Sequence, residues 1–192
     1  AEYNLGYAAY KLKNYSTANT HFKSYLSVVK DDAKKTDATL RLADGYFVTK
    51  QYWPAMEMYN SILNSNSAYK DYAAYQKGIS YGFVGKNDKK IDDLTKFGQF
   101  FPTSQYADDA LFELGNTYVN ENQVDKAIQT YDKLISNYKT SSYVAKTILK
   151  QGLIHYNNGK EDLAITKFKK VAAEFPNSPE ALEAVSTARL IY

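Results

Sequence analysis

The chain has 192 residues, 44% of them hydrophobic, with 24 basic against 21 acidic side chains and a net charge of +3. That is enough apolar material for a continuous core, but too weak a charge bias for an electrostatic footprint on nucleic acid. Arg41 and Arg189 are the only arginines, no apolar run approaches the roughly 20 residues of a membrane helix, and the lack of cysteine removes disulfides and thiolate metal sites.

Self-similarity dominates the rest. A small residue recurs as Gly6, Ala43, Gly78, Gly115 and Gly152, at separations of 37, 35, 37 and 37 residues. Twelve residues after each come Ala18, Ala55, Lys90, Ala127 and Ala164, and four further on Phe22, Tyr59, Leu94, Tyr131 and Phe168. A small residue on one helix then faces a bulky one on the next, so each copy predicts a helical hairpin whose two axes approach closely. Neither helix buries its apolar stripe alone, and successive hairpins must stack.

Taken in chain order, the first copy (about 1–34) carries Leu5-Gly6, a polar turn at Lys13-Asn14, then Ala18 and Phe22. The second (36–69) carries Leu42-Ala43, Tyr46, a turn at Lys50-Gln51 and then Trp53-Pro54, with Pro54 suited to a first helical position. The third (71–105) departs most, with Lys77, Lys90 and Leu94 in otherwise apolar or aromatic slots, a turn at 86–88, and Phe101-Pro102-Thr103-Ser104 as its stop. The fourth (108–142) is the most regular, with Leu114, Gly115, Tyr118, Ala127 and Tyr131 around a turn at 120–122, and Tyr138-Lys139-Thr140-Ser141 closes it without a proline. The fifth (145–178) carries Gly152, His155, a turn at 157–159, Ala164 and Phe168, and ends at Phe175-Pro176-Asn177-Ser178. Residues 179–192 predict a further helix whose apolar end, Leu190-Ile191-Tyr192, marks the chain as a segment of a longer protein or a processed product, and invites pairing through exposed terminal helices.

Chemistry-bearing constellations are sparse. His155 occupies an aromatic slot of its repeat and His21 stands alone, so both read as packed or surface side chains. The acidic pairs Asp31-Asp32, Asp92-Asp93 and Asp108-Asp109 read as complements to helix starts rather than cation sites. No phosphate-cradling glycine loop, metal-binding histidine pair or nucleophile elbow occurs, so neither a catalytic residue, a metal nor a cofactor is expected.

The recurring Leu-Gly-x-x-Tyr, Ala-x-x-x-Phe and closing Pro resemble the tetratricopeptide repeat. The resemblance implies an all-α, right-handed α-solenoid of five hairpins plus a C-terminal helix, about eleven helices forming one array over 1–192. A narrower resemblance lies in Phe-Pro-Thr-Ser-Gln-Tyr-Ala-Asp-Asp-Ala at 101–110, running into Leu114-Gly115-Asn116-Thr117-Tyr118, and again from Phe175 to Ala181. It is similar to the inter-repeat signature of bacterial envelope members, the outer-membrane assembly lipoproteins and Tol-Pal coordinators, and implies a periplasmic or outer-membrane-associated chain, with the cytoplasm as the alternative.

The family's ligand-facing places fall on the first helix of each hairpin. Carried over, they give Tyr3, Tyr7 and Tyr10; Asp44 and Phe47; Tyr72, Tyr75 and Phe83; Phe112 and Asn116; and Tyr156. With 19 tyrosines in the chain, that face is unusually aromatic and implies a groove for a peptide or protein segment, since tyrosines supply contact area at low entropy cost. Replacing Tyr72 and Tyr75 is then expected to weaken binding with little loss of stability. The chaperone-tail clamp is absent, because Tyr3, Tyr7, Arg41, Tyr72 and Gln76 occupy its places. The reading is a non-catalytic protein-interaction scaffold. Two alternatives remain, a glycan- or small-ligand-binding module and the recruitment arm of an enzyme whose catalytic domain lies elsewhere.

Overall fold

The computed structural model describes residues 1–192 and contains eleven helices: α1 (Glu2–Lys11), α2 (Tyr15–Leu26), α3 (Asp32–Val48), α4 (Tyr52–Leu63), α5 (Lys70–Phe83), α6 (Asn87–Phe100), α7 (Ala107–Asn120), α8 (Val124–Asn137), α9 (Val144–Asn157), α10 (Glu161–Glu174) and α11 (Pro179–Ile191). They form two compact units, Ala1–Tyr106 with three hairpins and Ala107–Tyr192 with two hairpins and α11.

Each hairpin closes on the pair read from the sequence. A Cβ on Gly6 would stand 2.8 Å from Phe22, on Gly115 2.2 Å from Tyr131 and on Gly152 2.5 Å from Phe168, so these positions admit no side chain without movement. In the second hairpin Ala43 and Tyr59 share one buried cluster with Ala55 and Ile62. The third is looser, because Leu94 replaces the ring and leaves 3.2 Å to a Cβ on Gly78. Phe22, Tyr59, Ile62, Leu94 and Phe97 are the large, fully buried side chains of the first unit, and Tyr131, Leu134, Thr147, Ile148, Gln151, Phe168 and Val171 those of the second.

The turns inside the hairpins are all of one kind. Lys13, Lys50, Gly85, Asn122 and Gly159 each adopt positive φ, between 57° and 74°. The following amide reaches back to close the first helix, as in Asn14 N–H to the Ala9 carbonyl at 2.9 Å, Lys86 to Tyr81 at 2.9 Å and Lys160 to His155 at 2.9 Å. This left-handed closure satisfies carbonyls that the helix end leaves without partners. Lysine at such a position pays a steric cost that glycine does not. Lys13→Gly and Lys50→Gly should therefore each stabilise the first unit by about 0.5–1 kcal/mol, and, lying in separate hairpins, should add in urea denaturation. A loss of stability in either variant would contradict this account of the turns.

Side chains cap the starts. Asn14 Oδ1 accepts from Thr17 N–H, Asp31 Oδ1 from Lys34 N–H and Ser178 Oγ from Ala181 N–H, the last with Pro179 in the first turn. Two local expectations need correction. Pro54 is the third residue of α4 rather than its first, still within the turn that needs no amide donor. Asp92-Asp93 lies in the middle of α6, where Lys96 donates to Asp92 at 2.7 Å, so this pair does not complement a helix start.

Candidate functional site

In the first unit the hairpins' first helices are α1, α3 and α5. On α3, Asp37, Arg41 and Asp44 are spaced by four and three residues and so share one face. Asp37 accepts hydrogen bonds from the hydroxyl of Tyr3 at 2.6 Å and from that of Tyr7. Two turns on, Asp44 Oδ1 accepts from Tyr59 at 2.8 Å and from Tyr72 at 2.9 Å, and Gln76 donates to the Tyr72 oxygen at 3.1 Å. Arg41 lies between the carboxylates, 3.8 Å from Asp37 and 3.6 Å from Asp44, with its guanidinium 5.8 Å from the centre of the Tyr10 ring. Those separations exceed hydrogen-bond length, and the buried Arg41 Nε has no hydrogen-bond partner.

Burial pushes the Asp44 carboxyl up, while the two phenols and Arg41 pull it back down. Burial and the Asp37 hydrogen bond push the phenols of Tyr3 and Tyr7 up. Tyr72 is pushed up by burial and then by the Asp44 charge. The three rings therefore stay neutral donors.

The rings hold one another. Tyr3 meets Tyr7 edge-on at 5.0 Å, and Tyr75 stacks on Tyr106 at 5.8 Å with 12° between the planes. Phe47 meets Tyr52 and Phe83 edge-on at 5.5 and 5.9 Å, and Tyr52 lies flat on Phe83 at 4.7 Å. Phe83 is 59% exposed, the most open of the rings expected to face a ligand.

In the second unit Phe112 lies under Tyr143, centroids 4.4 Å apart, with the ammonium groups of Lys146 and Lys150 5.8 and 5.7 Å from its ring centre. Tyr143 donates to Asp109 at 2.7 Å, and that bond, with burial, pushes its phenol up to about 12. Asn116 turns its carbonyl oxygen inward to accept from Tyr131 at 2.6 Å. Tyr156 is half-buried against the core of this unit, and His155 is half-buried beside it, its imidazole pulled down by burial and by Lys167.

The structure thus joins Tyr3 with Tyr7, Tyr10 with Arg41, Asp44 with Tyr72, and Phe47 with Phe83. Asp44 and Phe112 are only 7% exposed each and support the face from beneath rather than lining it. Tyr72 serves the buried Asp44, so its replacement costs stability as well as surface. For Tyr72 the hydrogen bond to Asp44 argues against the expectation that the Tyr72/Tyr75 pair is dispensable for folding.

Sequence reasoning missed Tyr106 and Tyr143. Ser104 donates to Asp71 at 2.6 Å and Ser141 to Asp108 at 2.5 Å, while each serine accepts the backbone N–H of the tyrosine two residues on at 3.1 Å. The recurring Ser-x-Tyr at 67–69, 104–106 and 141–143 was the available signal.

Helical hairpins closed on a small-residue gap, five of them in succession, define a helical-repeat protein. The tetratricopeptide-repeat family model matches residues 1–29, 109–141 and 146–178, and the chain is a tetratricopeptide-repeat protein. Among solved structures it is similar to MamA, with 21% identity over 98% of each chain and a TM-score of 0.72. It is similar to YrrB, described as a tetratricopeptide-repeat protein with an unusual peptide-binding site, with 16% identity over 96% of this chain and 90% of that one, TM-score 0.68. A tetratricopeptide-repeat protein from Parabacteroides merdae is likewise similar, with 16% identity over 96% of this chain and 70% of that one, TM-score 0.74. At these identities the likeness establishes the fold. No curated protein matches the chain.

Proposed function

We propose that the chain is a non-catalytic interaction scaffold that binds a peptide or protein segment along the aromatic face of α1, α3 and α5, in the bacterial envelope. One observation carries the reading: the rings on these helices are locked against one another and onto Asp37 and Asp44. Rings already fixed lose little entropy on contact, which is how tyrosine-rich binding surfaces convert area into affinity. The family supports a protein partner, and the inter-repeat segment from Phe101 to Ala107 supports the envelope setting.

The test is selection of displayed random peptides on the intact chain, followed by affinity measurement with Phe47→Ala/Phe83→Ala. Phe83 is largely exposed and Phe47 half-buried, so the double variant should keep its helicity and lose at least about tenfold in peptide affinity, the scale of a truncated aromatic anchor. Undiminished binding would remove the face from the site. If no peptide is selected and oligosaccharide quenches tyrosine and Trp53 fluorescence instead, the face is a glycan platform.

A further inference from the structure

We infer that the α1–α3–α5 face recognises a basic peptide segment, with a lysine or arginine side chain of the partner seated against Asp37 and the rings of Tyr3 and Tyr7. This rests on the reading of that face as a peptide-binding surface and adds the partner's chemistry. The first ground is hydrogen-bond direction. Tyr3 and Tyr7 each commit their only proton to Asp37, so what their oxygens offer a ligand is lone pairs, and the Tyr7 oxygen already takes a guanidinium in this way, that of Arg41. A hydroxyl that donates to a carboxylate is also polarised into a stronger acceptor. The partner group must therefore donate.

The second ground is charge. The α3 face holds two carboxylates, Asp37 and Asp44, against one cation, Arg41. The local balance is one negative charge, in a chain whose net charge is +3. Arg41 is the cation within ion-pair distance of these two carboxylates. Asp44 is nearly closed off, whereas Asp37 keeps a third of its side chain exposed, so the unbalanced charge is reachable at Asp37.

The third ground is the resident cation itself. Arg41 sits over the Tyr10 ring between two carboxylates at more than hydrogen-bond distance, with the phenol oxygens of Tyr7 and Tyr10 as its hydrogen-bond partners, which shows how this surface holds a guanidinium: by ring faces, phenol oxygens and charge. A second cation from a partner completes the neutralisation beside Tyr3 and Tyr7. A partner carboxylate would meet acceptor-only oxygens and a like charge.

The experiment uses the intact chain and three blocked peptides of equal length, alternating glycine with arginine, with its uncharged analogue citrulline, or with glutamate, each followed by fluorescence anisotropy. The arginine peptide should bind, with affinity falling as salt rises, and the other two should not. Asp37→Asn retains an oxygen for both phenols, and with helicity unchanged should weaken the arginine peptide about tenfold, the scale of one close charge pair. Arg41→Gln, which removes the resident competitor, should strengthen it severalfold. Binding of the glutamate peptide, loss of the arginine peptide on Arg41→Gln, indifference to Asp37→Asn, or no binding of any of the three would each overturn the inference. Non-basic peptides selected on the face and lost with Phe47→Ala/Phe83→Ala would overturn it while leaving the scaffold reading intact. Failure of the selection itself would fall on that reading.

Discussion

Gly115→Ala should destabilise the second unit by about 2–3 kcal/mol, the upper part of the range for inserting one methyl group into a packed core. The added Cβ would lie 2.2 Å from Tyr131 Cε1 and 2.6 Å from Cδ1. Tyr131 cannot swing away, because its ring is fully buried and its hydroxyl is held by Asn116 at 2.6 Å. The helices α7 and α8 must separate instead. Hairpin 2 bounds the cost, since Ala43 and Tyr59 coexist there in one buried cluster with the packing built around them.

Gly78→Ala is the control. Its Cβ would meet the end of Leu94 at 3.2 Å, and the helix-propensity gain of roughly 1 kcal/mol for glycine to alanine offsets a shift of a few tenths of an ångström. That variant should fall within about 1 kcal/mol of the parent. Thermal and urea unfolding of the two variants side by side decide the matter, and equal destabilisation would show that the gap residues are not set by their facing side chains.

The same contrast shows why the hairpins were legible in the sequence. Gap and knob are both written into one repeat, at a spacing that returns five times, so Gly115 and Tyr131 declare their contact from spacing alone. The turns were harder to read. Lys13 and Lys50 adopt the same left-handed conformation as Gly85 and Gly159, but lysine carries no local signal for it, and only alignment of the columns exposes the equivalence. Face residues depend on neighbours in the next hairpin: Asp37 is defined by Tyr3, 34 residues earlier, and Tyr143 by Asp109, 34 residues earlier. Family places located Tyr3, Tyr7 and Tyr72 on first helices without saying that their hydroxyls turn toward carboxylates. Nor does the segment 101–107, which reads like the other inter-repeat stops, announce the boundary between compact units at Tyr106 and Ala107.

One cross-repeat rule was nonetheless available. Where the knob is tyrosine, the residue 15 positions earlier is polar, Asp44 for Tyr59 and Asn116 for Tyr131, and it takes the phenolic proton. Where the knob is Phe168 or Leu94, that residue is Leu153 or Ile79, and where it is Phe22 the residue is Tyr7, whose own proton goes to Asp37. The hydroxyl is present only where a buried acceptor needs it, as expected if an unpaired polar group is the larger cost.

Tyr59→Phe measures that cost. It deletes one of two donors to a carboxylate that is nearly inaccessible to solvent, and hydrogen bonds to charged groups are worth about 1.5–3 kcal/mol; a loss of about 2 kcal/mol at neutral pH is expected. The pH dependence separates this from a packing defect. Burial already raises the Asp44 carboxyl, and the Tyr59 bond is the foremost influence lowering it, so the variant's carboxyl is raised further. A carboxyl whose folded value lies above its unfolded value contributes stability that is complete below the unfolded value and is lost as pH rises through the folded one. The variant should therefore approach the parent's stability as pH falls below neutrality, the protonated Asp44 no longer requiring a second donor. Asp44→Asn, which keeps an oxygen for both phenols but carries no charge, should show no such convergence when combined with Tyr59→Phe. If the deficit of Tyr59→Phe is the same at every pH, the hydroxyl acts only by filling space, and Asp44 is held by Tyr72 and Arg41 alone.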